Sequence, residues 1–94
     1  MEYTDIKHLN IRVTGLVQGV FYRATASLKA SHLGITGFVR NERDRSVYIE
    51  AEGPADKLAM FTIWCQQGPS GARVEKVETE EGVVKGFDRF ETRR

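Results

Sequence analysis

The order in which two hydrophobic periods alternate along the chain constrains its fold more than any other feature. From His8 to Thr14 apolar and polar residues alternate. Leu9, Ile11 and Val13 share one face and His8, Asn10 and Arg12 the other, the period of a half-buried strand. Gly15 to Gly19 interrupts this run with a glycine at each end. Val20 to Leu33 then reads at helical spacing, with Phe21, Ala24 and Leu28 as its apolar stripe and Gly34 as its stop. Ile35 to Asn41 predicts a second strand with Ile35, Gly37 and Val39 on one face. Ser46 to Glu52 predicts a third, with Val47, Ile49 and Ala51 inward and Tyr48 and Glu50 outward. Gly53-Pro54 opens a second helix, with proline at the first helical position. Leu58, Phe61, Trp64 and Cys65 form its stripe, and Gly68-Pro69 ends it. In a fourth predicted strand, Ala72 to Glu81, Val74 and Val77 break strict alternation and signal a bulge. Phe87 to Thr92 supplies a short last strand.

This βαββαβ order predicts an α+β fold. It is a ferredoxin-like sandwich with two helices on one face of a four- to five-stranded, mainly antiparallel sheet. The 94 residues suit a single domain, 1–94. One cysteine rules out a disulfide framework, and fourteen Lys/Arg against thirteen Asp/Glu leave a net charge of +1, no bulk field to recruit nucleic acid. No apolar run reaches membrane-spanning length, and MEYTDIKHLN lacks the apolar core of a signal peptide, so a cytoplasmic protein is expected, and its size and surface suit a monomer. The acidic run Glu75 to Glu81 reads as a solvated strand face.

The first helix is electrically unusual. It contains no Asp or Glu between Val20 and Leu33, and its first turn carries Arg23. A helix N-terminus already bears about half a positive charge, so a cation there is unfavourable unless an anion sits over the end. Two readings follow. The backbone N–H groups of Gly15 to Val20 wrap an external anion, or Arg23 pairs with a carboxylate from elsewhere while the glycines make a tight turn. The loop lacks the lysine-hydroxyl pair of a nucleotide P-loop and the three-glycine spacing of a dinucleotide site. Cys65 falls on an apolar stripe and reads as core. His8, on a strand's polar face, and His32, near a helix end, read as surface histidines outside any metal-ligand spacing.

The segment GLVQGVFYR (residues 15–23), taken with GFVRNERDRSVYIEAEG (residues 37–53), resembles the paired signature of the acylphosphatases. The helix opening after AEGP and the GPSGARVEKVE stretch are also similar, so the resemblance covers nearly the whole chain. It implies hydrolysis of acyl phosphates, with no cofactor and no metal. Arg23 is then a catalytic, phosphate-binding residue and Asn41 the residue that orients the attacking water. Gly15, Leu16, Val17, Gln18, Gly19 and Val20 line the phosphate. Inorganic phosphate is expected as product and competitive inhibitor, with no nucleic-acid or membrane partner. Arg45 stands where the family usually has a glycine four residues after its asparagine, which bears on the hairpin turn but on no catalytic group.

Topology leads to the same placement of Asn41. A right-handed crossover makes the first two strands parallel, so the loop and Asn41 emerge at one edge of the sheet, roughly 9–10 Å apart with one strand between them. Two other functions compete with this one. Phe38 and Tyr48 as outward aromatics on a ferredoxin-like sheet suggest RNA binding, and an anion pocket without turnover suggests a regulatory domain. Phe21, Tyr22 and Phe38 are candidates for an acyl pocket that the sequence alone does not assign.

Overall fold

The computed structural model describes residues 5–94; Met1–Thr4, part of the segment read as lacking a signal peptide, lie outside the described residues. The elements are β1 (Ile6–Leu16), α1 (Tyr22–His32), β2 (Thr36–Asn41), β3 (Val47–Pro54), α2 (Ala55–Gln67), β4 (Arg73–Gly82) and β5 (Phe90–Arg93). They build one five-stranded sheet in the order β4-β1-β3-β2-β5, with β2 and β5 parallel and the other neighbours antiparallel. Both helices join the sheet in a core that includes Ile11, Val13, Val39, Val47, Ile49, Leu58 and Phe61. Among the described residues no helix is long and apolar enough to cross a membrane.

The local signals act as their chemistry requires. Gly34, at φ 73°, closes α1: its N–H donates to Ser31 O and the Ile35 N–H to Ala30 O, so the last carbonyls find partners. The irregular alternation in β4 is a bulge. Thr14 pairs with Lys76 but Gly15 with Val74, so Glu75 is the extra residue. Pro54 is not the first helical residue. It stands at the α2 N-cap in extended conformation (φ −63°, ψ 148°), still paired in β3.

The apolar stripe of α1 is not Phe21, Ala24 and Leu28. Phe21 is 81% exposed, Leu28 73% exposed, and the buried face is Tyr22, Ala26 and Ala30. Both triplets fit a helical period, so hydrophobicity alone does not choose between them. Tyr22 settles the rotation, because its ring packs against Trp64 (5.2 Å between centroids) and its hydroxyl donates to Cys65 O over 2.8 Å. The two alanines below it then face the core.

His8 is the second correction: it is not a surface histidine but a buried one. The connection from β4 to β5, residues 83–89, runs from one sheet edge to the other across the face opposite the helices, and covers the part that holds His8, Phe38, Glu50 and Glu52. Phe87 in this strap stacks on His8 and meets Phe38 edge-on. Glu52 accepts the backbone N–H groups of Lys85, Gly86 and Phe87, together with His8 Nδ1–H at 2.6 Å. Glu50, outward as expected, is buried too and pairs with Lys85 Nζ at 2.7 Å. His32 and the acidic face of β4 are exposed as expected. The strap also weakens the case for RNA. Phe38 is buried beneath it and beneath the guanidinium of Arg93, 4.1 Å from its ring centre, so it offers no open stacking surface.

Candidate active site

Because β3 lies between β1 and β2 and is antiparallel to both, β1 and β2 run parallel and end at the same edge. β1 delivers the loop there and β2 delivers Asn41 as its last residue, paired with Val47. One strand, β3, separates them, as the ferredoxin-like order predicts. The loop is pinned to the far side of this gap by Gln18, whose Nε2 donates to Glu42 O and Ser46 O at 2.9 Å each. Val17, fully buried, anchors the same loop in the core.

The glycines flanking the loop do different work. Gly15 sits in β1 at φ 128°, where a Cβ would lie 2.1 Å from Arg73 O, so close pairing with β4 excludes a side chain. Gly19 has open space around it and needs only its positive φ of 75°. Gly15 and Leu16 therefore belong to the strand, paired with Val74 and Arg73, and the free loop begins at Val17. Phe21 ends it in left-handed conformation (φ 63°, ψ 23°), with no side-chain cap on α1 and no acid in the first turn. Among the described residues, the N–H groups from Gln18 to Ala24 have no protein acceptor. A helix start left in that condition is an electropositive seat for an anion.

Arg23 is not neutralised by an internal acid. Among the described residues no carboxylate pairs with it; its Nη1 donates instead to the Arg93 carbonyl oxygen at 2.7 Å. That bond fixes the side chain against β5 while keeping its positive charge uncompensated. Asn41 is equally unusual, since its Oδ1 is buried and has no hydrogen-bond partner among the described residues. Leaving such an oxygen unpaired costs about 1–3 kcal/mol, a price a purely structural residue would not carry.

These groups share a cavity of about 290 Å³, near the lower end of the range for small-molecule sites. The loop contributes Val17, Gly19 and Phe21, the first turn of α1 contributes Tyr22, Arg23 and Ala24, and Asn41 and Thr92 complete the wall. Gly15, Leu16, Gln18 and Val20 do not line it. Phe38 is on the opposite face of the sheet. Cys65 is no nucleophile for this site, because burial pushes its thiol up to about 12. Two contributors were not read from the sequence, Thr92 and the Arg93 carbonyl. Both come from β5, whose parallel pairing with β2 leaves no local pattern. The Gln18 side-chain latch was also missed, although a long amide between two glycines is a usable signal.

Comparison with known proteins gives a consistent result. The acylphosphatase family model matches residues 9–92. An acylphosphatase from Synechococcus sp. (strain RCC307) is 46% identical over 87% of this chain and 70% of its own. One from Salinibacter ruber (strain DSM 13855 / M31) is 42% identical over 100% of both. The solved structure of an acylphosphatase from Coxiella burnetii superposes with a TM-score of 0.92 at 36% identity, covering 95% of this chain and 94% of that one.

Proposed function

As this chain belongs to the acylphosphatase family, we propose that Arg23 and the loop amides hold the phosphoryl group of its substrate while Asn41 aims the attacking water. The enzyme hydrolyses the carboxyl–phosphate bond of acyl phosphates to a carboxylate and inorganic phosphate. A non-catalytic domain on the same fold is not favoured by these relationships.

The chemistry explains why so few groups suffice. The leaving group is a carboxylate, whose conjugate acid has a pKa of about 4, so it departs without protonation. A bond forms from the water oxygen to phosphorus as the bond to the acyl oxygen breaks, its electron pair leaving with the carboxylate. Negative charge spreads over the phosphoryl oxygens in the transition state, where the Arg23 fork and the loop N–H groups meet it. Asn41 is too weak a base to take the water's proton, which passes to a phosphoryl oxygen of the substrate. Its side-chain amide holds the water in line, which removes an orientational entropy cost. Inorganic phosphate fits the same cradle and competes with substrate.

The observation that carries this reading is one cavity lined by Arg23, which among the described residues pairs with no carboxylate, and by Asn41, whose buried Oδ1 has no hydrogen-bond partner among them. Phosphate release from acetyl phosphate in the presence of a chelator is the test. Arg23→Ala should lose both turnover and inhibition by inorganic phosphate, a charge-assisted contact of about 1.5–3 kcal/mol. Retained phosphate inhibition in that variant overturns the assignment.

A further inference from the structure

Phe21 combines two features that folding alone does not favour. Its backbone lies at φ 63°, a region that suits glycine, and its ring is 81% exposed, so it gains little from burial. The other non-glycine residue at positive φ among the described residues, Arg45, is polar and sits in a hairpin turn. Phe21 instead borders the cavity that holds Arg23 and Asn41.

In-line displacement places the leaving group across phosphorus from the water. Asn41 and Phe21 both line the cavity, Asn41 from the end of β2 with its Oδ1 buried and Phe21 with its ring exposed to solvent. With the water held at Asn41, the acyl group departs away from Asn41, and Phe21 is the exposed aromatic on the cavity wall to receive it. Ala24, also exposed, lines the same cavity one helical turn on, and Leu28 extends this outward apolar track along α1. The geometry points to Phe21 as a specificity-determining residue that favours acyl phosphates with aromatic or extended alkyl acyl groups over acetyl phosphate. This rests on the phosphate and water roles given above to Arg23 and Asn41.

The test compares kcat/KM for benzoyl and octanoyl phosphate with that for acetyl phosphate in the intact chain, in Phe21→Ala and in Phe21→Gly. Loss of one aromatic contact should lower the benzoyl-to-acetyl ratio about three- to tenfold, with the octanoyl-to-acetyl ratio falling in the same direction. A ratio taken within each variant cancels any general loss of turnover, and glycine is compatible with the backbone at φ 63°, so the fold is retained. Ratios unchanged in both variants overturn the inference. Failure of the underlying site assignment has a different signature, namely that Arg23→Ala leaves turnover of all three substrates intact.

Discussion

His8 Nδ1 lies 2.6 Å from Glu52 Oε2, with both side chains buried on the sheet face opposite the helices. The pair fastens the 83–89 strap, because the same carboxylate accepts the N–H groups of Lys85, Gly86 and Phe87. Burial pushes Glu52 up, but the Lys85 N–H, His8 and the Phe87 and Gly86 N–H groups outweigh it and hold the carboxyl below its ordinary value of 4.5. Glu50 is held down likewise, burial opposing and the Lys85 and Tyr48 bonds prevailing.

The sign of the pH effect follows from these depressed values. Below the ordinary value of 4.5 the unfolded chain takes up protons before the folded one does. Stability is therefore complete above that pH and is lost as pH falls through the folded values. Glu52→Gln replaces an acceptor of four donors and should cost about 2–4 kcal/mol near neutral pH, lowering the melting temperature by about 10–20 °C. Denaturant midpoints measured against pH should show a shallower acid decline in the variant. An equally steep decline would mean that other carboxylates control acid unfolding.

Asn41→Ala should separate stability from activity. Removing a buried oxygen without a partner should leave the melting temperature unchanged or raise it by about 4–8 °C, roughly 1 kcal/mol. In the same variant kcat should fall about 100-fold or more, while inhibition by inorganic phosphate stays nearly intact. Steady-state kinetics and a thermal melt on one preparation check both. Unchanged kcat would show that another group holds the water.

Arg45 has φ 79°, in a turn where its N–H donates to Glu42 O and the Glu42 N–H to Ser46 O. Asp44 supports the turn by accepting from the Ser46 N–H and hydroxyl, so the chain uses a polar brace alongside a strained residue. Arg45→Gly should raise stability by about 0.5–1 kcal/mol, because the left-handed penalty exceeds the extra entropy that glycine loses. Turnover should not change. A fall in the melting temperature would count against strain at this position.

Cys65 is fully buried, and burial holds its thiol up near about 12. In the native enzyme a thiol-specific disulfide reagent near neutral pH should fail to label it, and in concentrated guanidinium chloride one thiol per chain should react. Rapid native labelling would reveal local opening of α2 against α1.

Much of the site was legible because it is written in short-range chemistry. An arginine in an acid-free first turn and glycines flanking a loop each state a local electrostatic or conformational need, whereas Asn41 was singled out by the family resemblance and placed by topology. The parallel relation of β1 and β2 followed from the β-helix-β crossover, and Gly34 announced the end of α1 through its tolerance of positive φ. The rotation of α1 was not legible, since Phe21/Ala24/Leu28 and Tyr22/Ala26/Ala30 both fit a helical period. Only a ring packed against Trp64 and a hydroxyl on Cys65 O separate them.

What the chain determined by itself was its element order, its turns and the residue types brought to one sheet edge, because each depends on neighbours a few positions away. The environment of those residues was decided by the tertiary structure. β5 supplies the carbonyl that steadies Arg23, the strap buries His8 with Glu52, and the packed sheet end leaves Asn41 Oδ1 without a donor among the described residues. Burial and partner geometry are sums over segments far apart in sequence, and no local period records them.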